Sequence, residues 1–199
     1  MYFHKTITTG LVVTLLLLPT PAWAHYHLGW IVNEIFTNAS GTNQFVELFN
    51  TGFDGQHVLE SNPVSGPASL FSDANEFVFP SDLPSSATSG KFVLIGTAGF
   101  ASLAGAPPLD YTFPSNFFDI SGDTVIFGDD SFFFTVDDIT FGALPTNGIN
   151  SVSSDGTTVI VNSPTNFAGE TGSVVPEPST FVLAALALLG LLAHRRRRP

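Results

Sequence analysis

Between its two ends this chain carries its apolar residues in short groups, each closed off by Gly, Pro, Ser, Asn or Asp. The groups are rich in Phe, Val, Ile and Thr and poor in the Leu, Glu, Lys and Arg mix that builds helices. That pattern predicts an all-β sandwich or barrel, one strand per group. Trp30 to Phe36 reads as the first strand, with a turn at Asn38 to Gly41. Gln44 to Asn50 is the second, with Phe45, Glu47 and Phe49 on one face and Val46 and Leu48 on the other. A weaker strand falls at His57 to Glu60 and a short one at Glu76 to Phe79. Lys91 to Gly96 is apolar on both faces and is expected to be central. Thr97 to Ala104 reads as a short helix capped by Thr97. Leu109–Phe113, Thr124–Phe127, Ser131–Val136, Ile139–Phe141 and Thr157–Asn162 complete the strands. Gly128-Asp129-Asp130 and Asp137-Asp138 are turn candidates. Residues 163–174 carry Pro, Gly, Ser and Thr and read as a spacer.

The two ends are of another kind. Lys5 supplies a positive start, Leu11 to Leu18 an apolar stretch, and Ala22-Trp23-Ala24 a small-residue cleavage site. Residues 1–24 therefore read as a signal peptide for a signal peptidase, leaving His25 as the mature N-terminus. At the other end, Pro176-Glu177-Pro178 precedes an uncharged apolar run, Phe181 to Ala193, and then Arg195, Arg196, Arg197 and Arg198. The run is expected to be a transmembrane helix over 181–193, with the arginines on the cytoplasmic side. At about 1.5 Å per residue it reaches roughly 20 Å, so crossing needs local thinning and snorkelling arginines.

With both ends removed, Lys91 stands as the one Lys or Arg against sixteen of the chain's 17 acids, a net charge of −15. Such a surface repels nucleic acid and anionic lipid and keeps an exported body dispersed. The chain has no Cys, so an exported fold must be held by its core without disulfides.

The tail of residues 175–199 resembles a PEP-CTERM sorting signal, on Pro176, Glu177, Pro178, the apolar run and the four arginines. The resemblance implies an exosortase, an integral-membrane cysteine transpeptidase, as a partner that removes the tail. It also implies a Gram-negative host that makes exopolysaccharide, and a body held only transiently at the inner membrane. The body, residues 25–162, resembles a lamin-tail domain, an immunoglobulin-like β-sandwich. The pieces are Ile31-Val32-Asn33-Glu34-Ile35, Phe45 to Asn50, Lys91 to Gly96, Gly122 to Phe127 and Phe141-Gly142. The pair Asn33-Glu34 and Glu47-x-x-Asn50 is the sharpest part. Phe53 to Pro67 departs from the family's usual turn. The resemblance implies a binding or structural module.

Candidate chemistry is sparse. Glu34 and Glu47 lie within strands, where acids are disfavoured. They could pair as general acid and base, or bond backbone and turn groups at the sandwich end. Asp119, Asp123, Asp129, Asp130, Asp137 and Asp138 are candidates for Ca²⁺, as in a calcium-dependent adhesin, or are ordinary turn and solubility residues. His25 and His27, with the free α-amine, could hold Cu(II); His25 with His57 could instead form a histidine-brace-like site, the mark of a copper protein or enzyme. No G-x-S-x-G, P-loop, G-x-G-x-x-G or H-E-x-x-H motif occurs. The expectation is a non-enzymatic surface or extracellular-matrix module that works with exopolysaccharide or surface proteins and needs no cofactor.

Overall fold

The computed structural model describes residues 28–60, 66–129 and 135–174. Among the described residues ten strands form two sheets, accompanied by one short helix. In chain order they are β1 (Trp30–Thr37), β2 (Gln44–Asn50), β3 (Ala68–Phe71), β4 (Glu76–Val78) and β5 (Phe92–Gly96). Then come α1 (Ala98–Ala101), β6 (Tyr111–Thr112), β7 (Asp123–Asp129), β8 (Thr135–Phe141), β9 (Asn150–Ser153) and β10 (Val159–Val161). One sheet runs β10-β9-β1-β2-β5-β6 and the other β4-β3-β7-β8.

The inner faces of the two sheets share one core. Trp30, Val32, Val46, Leu48 and Val93 from the first sheet meet Leu70, Val125, Phe127 and Ile139 from the second, each 2% exposed or less. Trp30 closes one end, and its indole N–H donates to the Gln56 carbonyl at 2.9 Å. The described residues are thus mostly β and sandwich-like, as the punctuation of the sequence predicts.

The β1–β2 register shifts between Val32 and Glu34, which leaves Asn33 as the extra residue of a bulge. A bulge reverses the in–out alternation. Ahead of it Trp30 and Val32 face the core; beyond it Ile35 does, opposite Val46. Glu34 and Phe36 are thereby turned to the outer face beside their partners Glu47 and Phe45. There Phe36, Phe45, Leu94, Phe100 and Val174 form a second, smaller core. The Phe36 and Phe45 rings stack at 5.2 Å, and Phe100 from α1 packs on Phe45 at 4.9 Å. Thr97 caps α1, its hydroxyl accepting from the Phe100 N–H at 3.1 Å.

Several expectations are corrected. His57–Glu60 is not a strand; β3, at Ala68–Phe71, supplies the missing partner of β7. β5 is not central in its sheet, since only the two-residue β6 flanks it on one side. It is apolar on both faces because cores cover both faces. Asp137 and Asp138 lie inside β8, not in a turn, and Gly128 and Asp129 end β7. Asp137 is drawn into the fold because its Oδ2 accepts from the Val32 N–H at 2.7 Å, joining the two sheets. β9 had no distinct apolar signal, having only Val152 on the inner face.

Gly156, in the β9–β10 turn, has φ +70°, and an added Cβ would collide with the Thr140 carbonyl of β8. This contact seats the hairpin against the second sheet. Gly156→Ala is expected to cost on the order of 2 kcal/mol, from the left-handed backbone plus the steric clash. Urea denaturation of the body would show it as a lower midpoint at unchanged slope.

Candidate functional site: the C-terminal strap and the sorting segment

Residues 163–174, expected to be a spacer, are a strap folded across the outer face of the six-stranded sheet. It closes on itself through backbone bonds, from Gly172 N–H to Pro164 and from Asn166 N–H to Glu170, and side chains of the sheet hold it in place. The hold begins at Glu34 and Glu47, each 1% exposed and directly opposite on β1 and β2. Glu34 accepts from the Ser163 N–H at 3.1 Å and from its hydroxyl at 3.2 Å. Glu47 accepts from the Thr165 N–H at 2.6 Å and from the side-chain amide of Asn33, the bulged residue, also at 2.6 Å. Further along, the Phe167 N–H donates to Asp110 at 2.9 Å. Lys91 lies 5.9 Å above the Phe167 ring.

Val174, the last described residue of the strap, is 1% exposed. Asn162 grips it in both directions: its amide oxygen accepts from the Val174 N–H at 2.7 Å, and its amide nitrogen donates to the Val174 carbonyl at 2.9 Å. Asn162 is itself fixed to the start of β9 by its backbone N–H, which donates to the Ile149 carbonyl at 2.9 Å. Gly172 is required here because a side chain would strike the Gly105 carbonyl and Pro107.

Two buried carboxylates side by side without a cation are costly to ionise. Burial pushes Glu47 up to about 8, with the neighbouring Glu34 adding to the rise against the Asn33 and Thr165 bonds. Burial raises Glu34 as well, less the help of Ser151 and Ser163. The Ser151 hydroxyl is buried and turned toward this site, though it falls short of a well-formed hydrogen bond. Both carboxyls are therefore pushed toward the protonated form, and their chemistry is to accept from peptide N–H groups.

The remaining candidates are dispersed. Asp123 spends both oxygens on backbone N–H groups of Asp73, Thr124 and Asp119, at 2.7–3.0 Å. Asp119 accepts from the Ser121 N–H and hydroxyl, which hold it below the usual carboxylate range. Asp73, Asp119 and Asp123 line an open depression of about 400 Å³. Asp129 is buried at the end of β7 and Asp130 lies outside the described residues. Among the described residues no three acidic or His side chains converge in a metal-ligating group. His57 is half-buried with Nδ1 unpartnered; His25 and His27 lie outside the described residues. So do the signal segment with Ala22 and Ala24, Pro176 to Pro178, the run 181–193 and Arg195 to Arg198. Among the described residues no helix is long and apolar enough to cross a membrane. Sequence reasoning found Glu34 and Glu47 through their misfit within strands. It missed Ser163 and Thr165, which carry no periodic signal, and placed Asn162 only as the end of a strand.

A family model described as the PEP-CTERM protein-sorting motif matches residues 174–198. No curated protein matches the chain. The motif marks an exported protein sorted by an exosortase, with a C-terminal membrane-anchoring region before cleavage. The motif's first residue, Val174, is itself buried and bonded to Asn162.

The carboxylate pair makes stability depend on pH. An unfolded glutamate near 4.5 loses its proton before the folded Glu47 near 8. Stability from this site is therefore full below pH 4.5, falls as pH rises toward about 8, and is flat above. Glu47→Gln keeps an acceptor for the Thr165 N–H and, with the Asn33 amide turned over, a bond to Asn33. It is expected to flatten that decline and to gain on the order of 2 kcal/mol at pH 9. Urea titrations of both forms at pH 5, 7 and 9 check the sign and the size.

Proposed function

We propose that this protein is an exported, non-enzymatic module of the cell surface or extracellular matrix. An exosortase delivers it by removing the tail, and it acts beside exopolysaccharide or other surface proteins. The observation that carries the reading is that Val174, the first residue of the sorting motif, is buried in the fold and clamped by Asn162, so the body is folded where the sorting signal begins. The strap is built from hydrogen bonds internal to the body, so the released form keeps its fold without disulfide or lipid. The described acids serve the same end. Glu34, Glu47, Asp110, Asp123 and Asp137 accept backbone N–H groups, a structural use that calls for no bound ion. The lamin-tail-like, immunoglobulin-like reading of the body agrees with two sheets on one core and with a binding role.

Intact mass of the protein recovered from the native host tests the delivery step. A surface or medium species that begins at His25 and ends between Val175 and Pro178 is the expected result. A species that retains residues 181–199 in the inner membrane at steady state would turn the tail into a permanent anchor.

A further inference from the structure

The edge strand of a sheet presents a row of unpaired peptide groups, and proteins blunt such edges with charge, brevity or a bulge. Among the described residues the edge strands are β10 and β6 in the first sheet and β4 and β8 in the second. β8 carries Asp137 and Asp138, β4 begins at Glu76, and β6 is two residues long and follows directly on Asp110. β10, Val159-Ile160-Val161, is short but has no charge, no Pro and no register shift against β9.

The peptide groups of β10 are also aimed for pairing. Thr158 and Asn162 bond across to Ser153 and Ile149. By antiparallel alternation the N–H and C=O of Val159 and Val161 therefore point away from β9. Among the described residues nothing bonds these groups. The side chains of Val159 and Val161 lie on the inner side of the sheet, as does Val152 opposite Val159, yet they stay 54% and 62% exposed.

This edge is complementary to itself. A two-fold axis at Ile160 sets a second β10 antiparallel to the first, with Val159 opposite Val161 of the other copy and the two Ile160 residues face to face. The outward N–H and C=O groups of each Val159 then meet those of a Val161, and the valines form cross-strand pairs. Opposed residues of a continuous sheet share a face, so the straps of both copies lie on one side. Val174, where the sorting motif begins, is on that side, so two chains entering one membrane can pair without either turning over. Charge selects the same arrangement. The body, with Lys91 against sixteen acids, repels its own copies over most of its surface. Asp155 is the charged residue nearest β10 in sequence, in the turn before it. The two-fold axis sends the two Asp155 side chains to opposite ends of the paired strands. They stand on the order of 20 Å apart, beyond the roughly 8 Å screening length.

We propose that β10 pairs edge to edge with β10 of a second copy of this chain, antiparallel about Ile160, joining two six-stranded sheets into one. So short an edge makes a weak contact, which forms where copies are crowded on one surface rather than in dilute solution. The pairing needs only the folded body, so it stands or falls apart from the matrix reading.

The chain has no Cys, so single cysteines report the register. Ile160→Cys and Val78→Cys are made in the full chain and expressed in the native host. Intact cells are treated with diamide, and covalent products are read on non-reducing gels. Opposed Ile160 positions form a non-hydrogen-bonded pair with Cα atoms about 4.5 Å apart, within disulfide reach. Val78, 42% exposed on the β4 edge, controls for chance collision. Ile160→Cys is expected to give a species of twice the chain mass at about fivefold or more the yield of Val78→Cys. Adding Val161→Pro deletes an outward N–H that β9 does not use, and should cut that yield severalfold. Val161→Asp, which sets a carboxylate against Val159 of the other copy, should do the same. A yield for Ile160→Cys no higher than for Val78→Cys overturns the pairing, as does a yield that neither Val161 change lowers. A main adduct of any other mass would assign the edge to a different protein and overturn pairing between copies. Delivery and tail removal, read in the same cells by intact mass, are judged separately.

Discussion

The bulge at Asn33 is the feature on which the rest of this fold depends. One extra residue reverses the alternation of β1, so that Glu34 and Phe36 leave the inner face and join Glu47 and Phe45 on the outer one. That outer face now carries an aromatic pair, which attracts apolar cover, and two carboxylates, which demand donors. Strap residues 163–174 meet both demands. Its N–H groups satisfy Glu34 and Glu47, and Val174 completes the small aromatic core. Asn33 takes part on both counts, as the bulged residue and as a donor to Glu47.

This arrangement gives physical content to the residues that most resembled a lamin-tail domain. Asn33-Glu34 and Glu47 are a device for fastening the strap that begins at Ser163. Asn50 has a separate, local role. Its side-chain oxygen accepts from the Gly52 and Phe53 N–H groups and turns the chain out of β2. Its amide nitrogen is left buried without a partner. Acids within strands were a signal of function in the broad sense, and the structure gives them a binding role whose ligand is the protein's own backbone.

Much of the architecture was legible because alternation and turn residues are local properties. β1, β2, β5 and the Thr97 cap fall where propensity and pattern place them. The misses share a different cause. Asp137 and Asp138 look like a turn, yet β8 contains them because a long-range bond to Val32 pulls Asp137 into the fold. Ser163 and Thr165 look like linker, yet they fold because their partners, Glu34 and Glu47, lie over a hundred residues earlier. No window along the chain contains both sides of such a contact. The sorting tail was legible for the opposite reason, since its meaning is carried by local chemistry read by another protein.

The most direct measurement is the stability of two truncated bodies, residues 25–174 and residues 25–162. If the strap is part of the fold, the longer body should unfold in one cooperative transition. The shorter, with Glu34, Glu47 and the Phe36–Phe45 stack uncovered, should lose several kcal/mol or fail to fold, as buried groups left without partners do. Equal unfolding midpoints for the two bodies would show residues 163–174 to be a spacer after all, and would contradict a strap that covers the outer face.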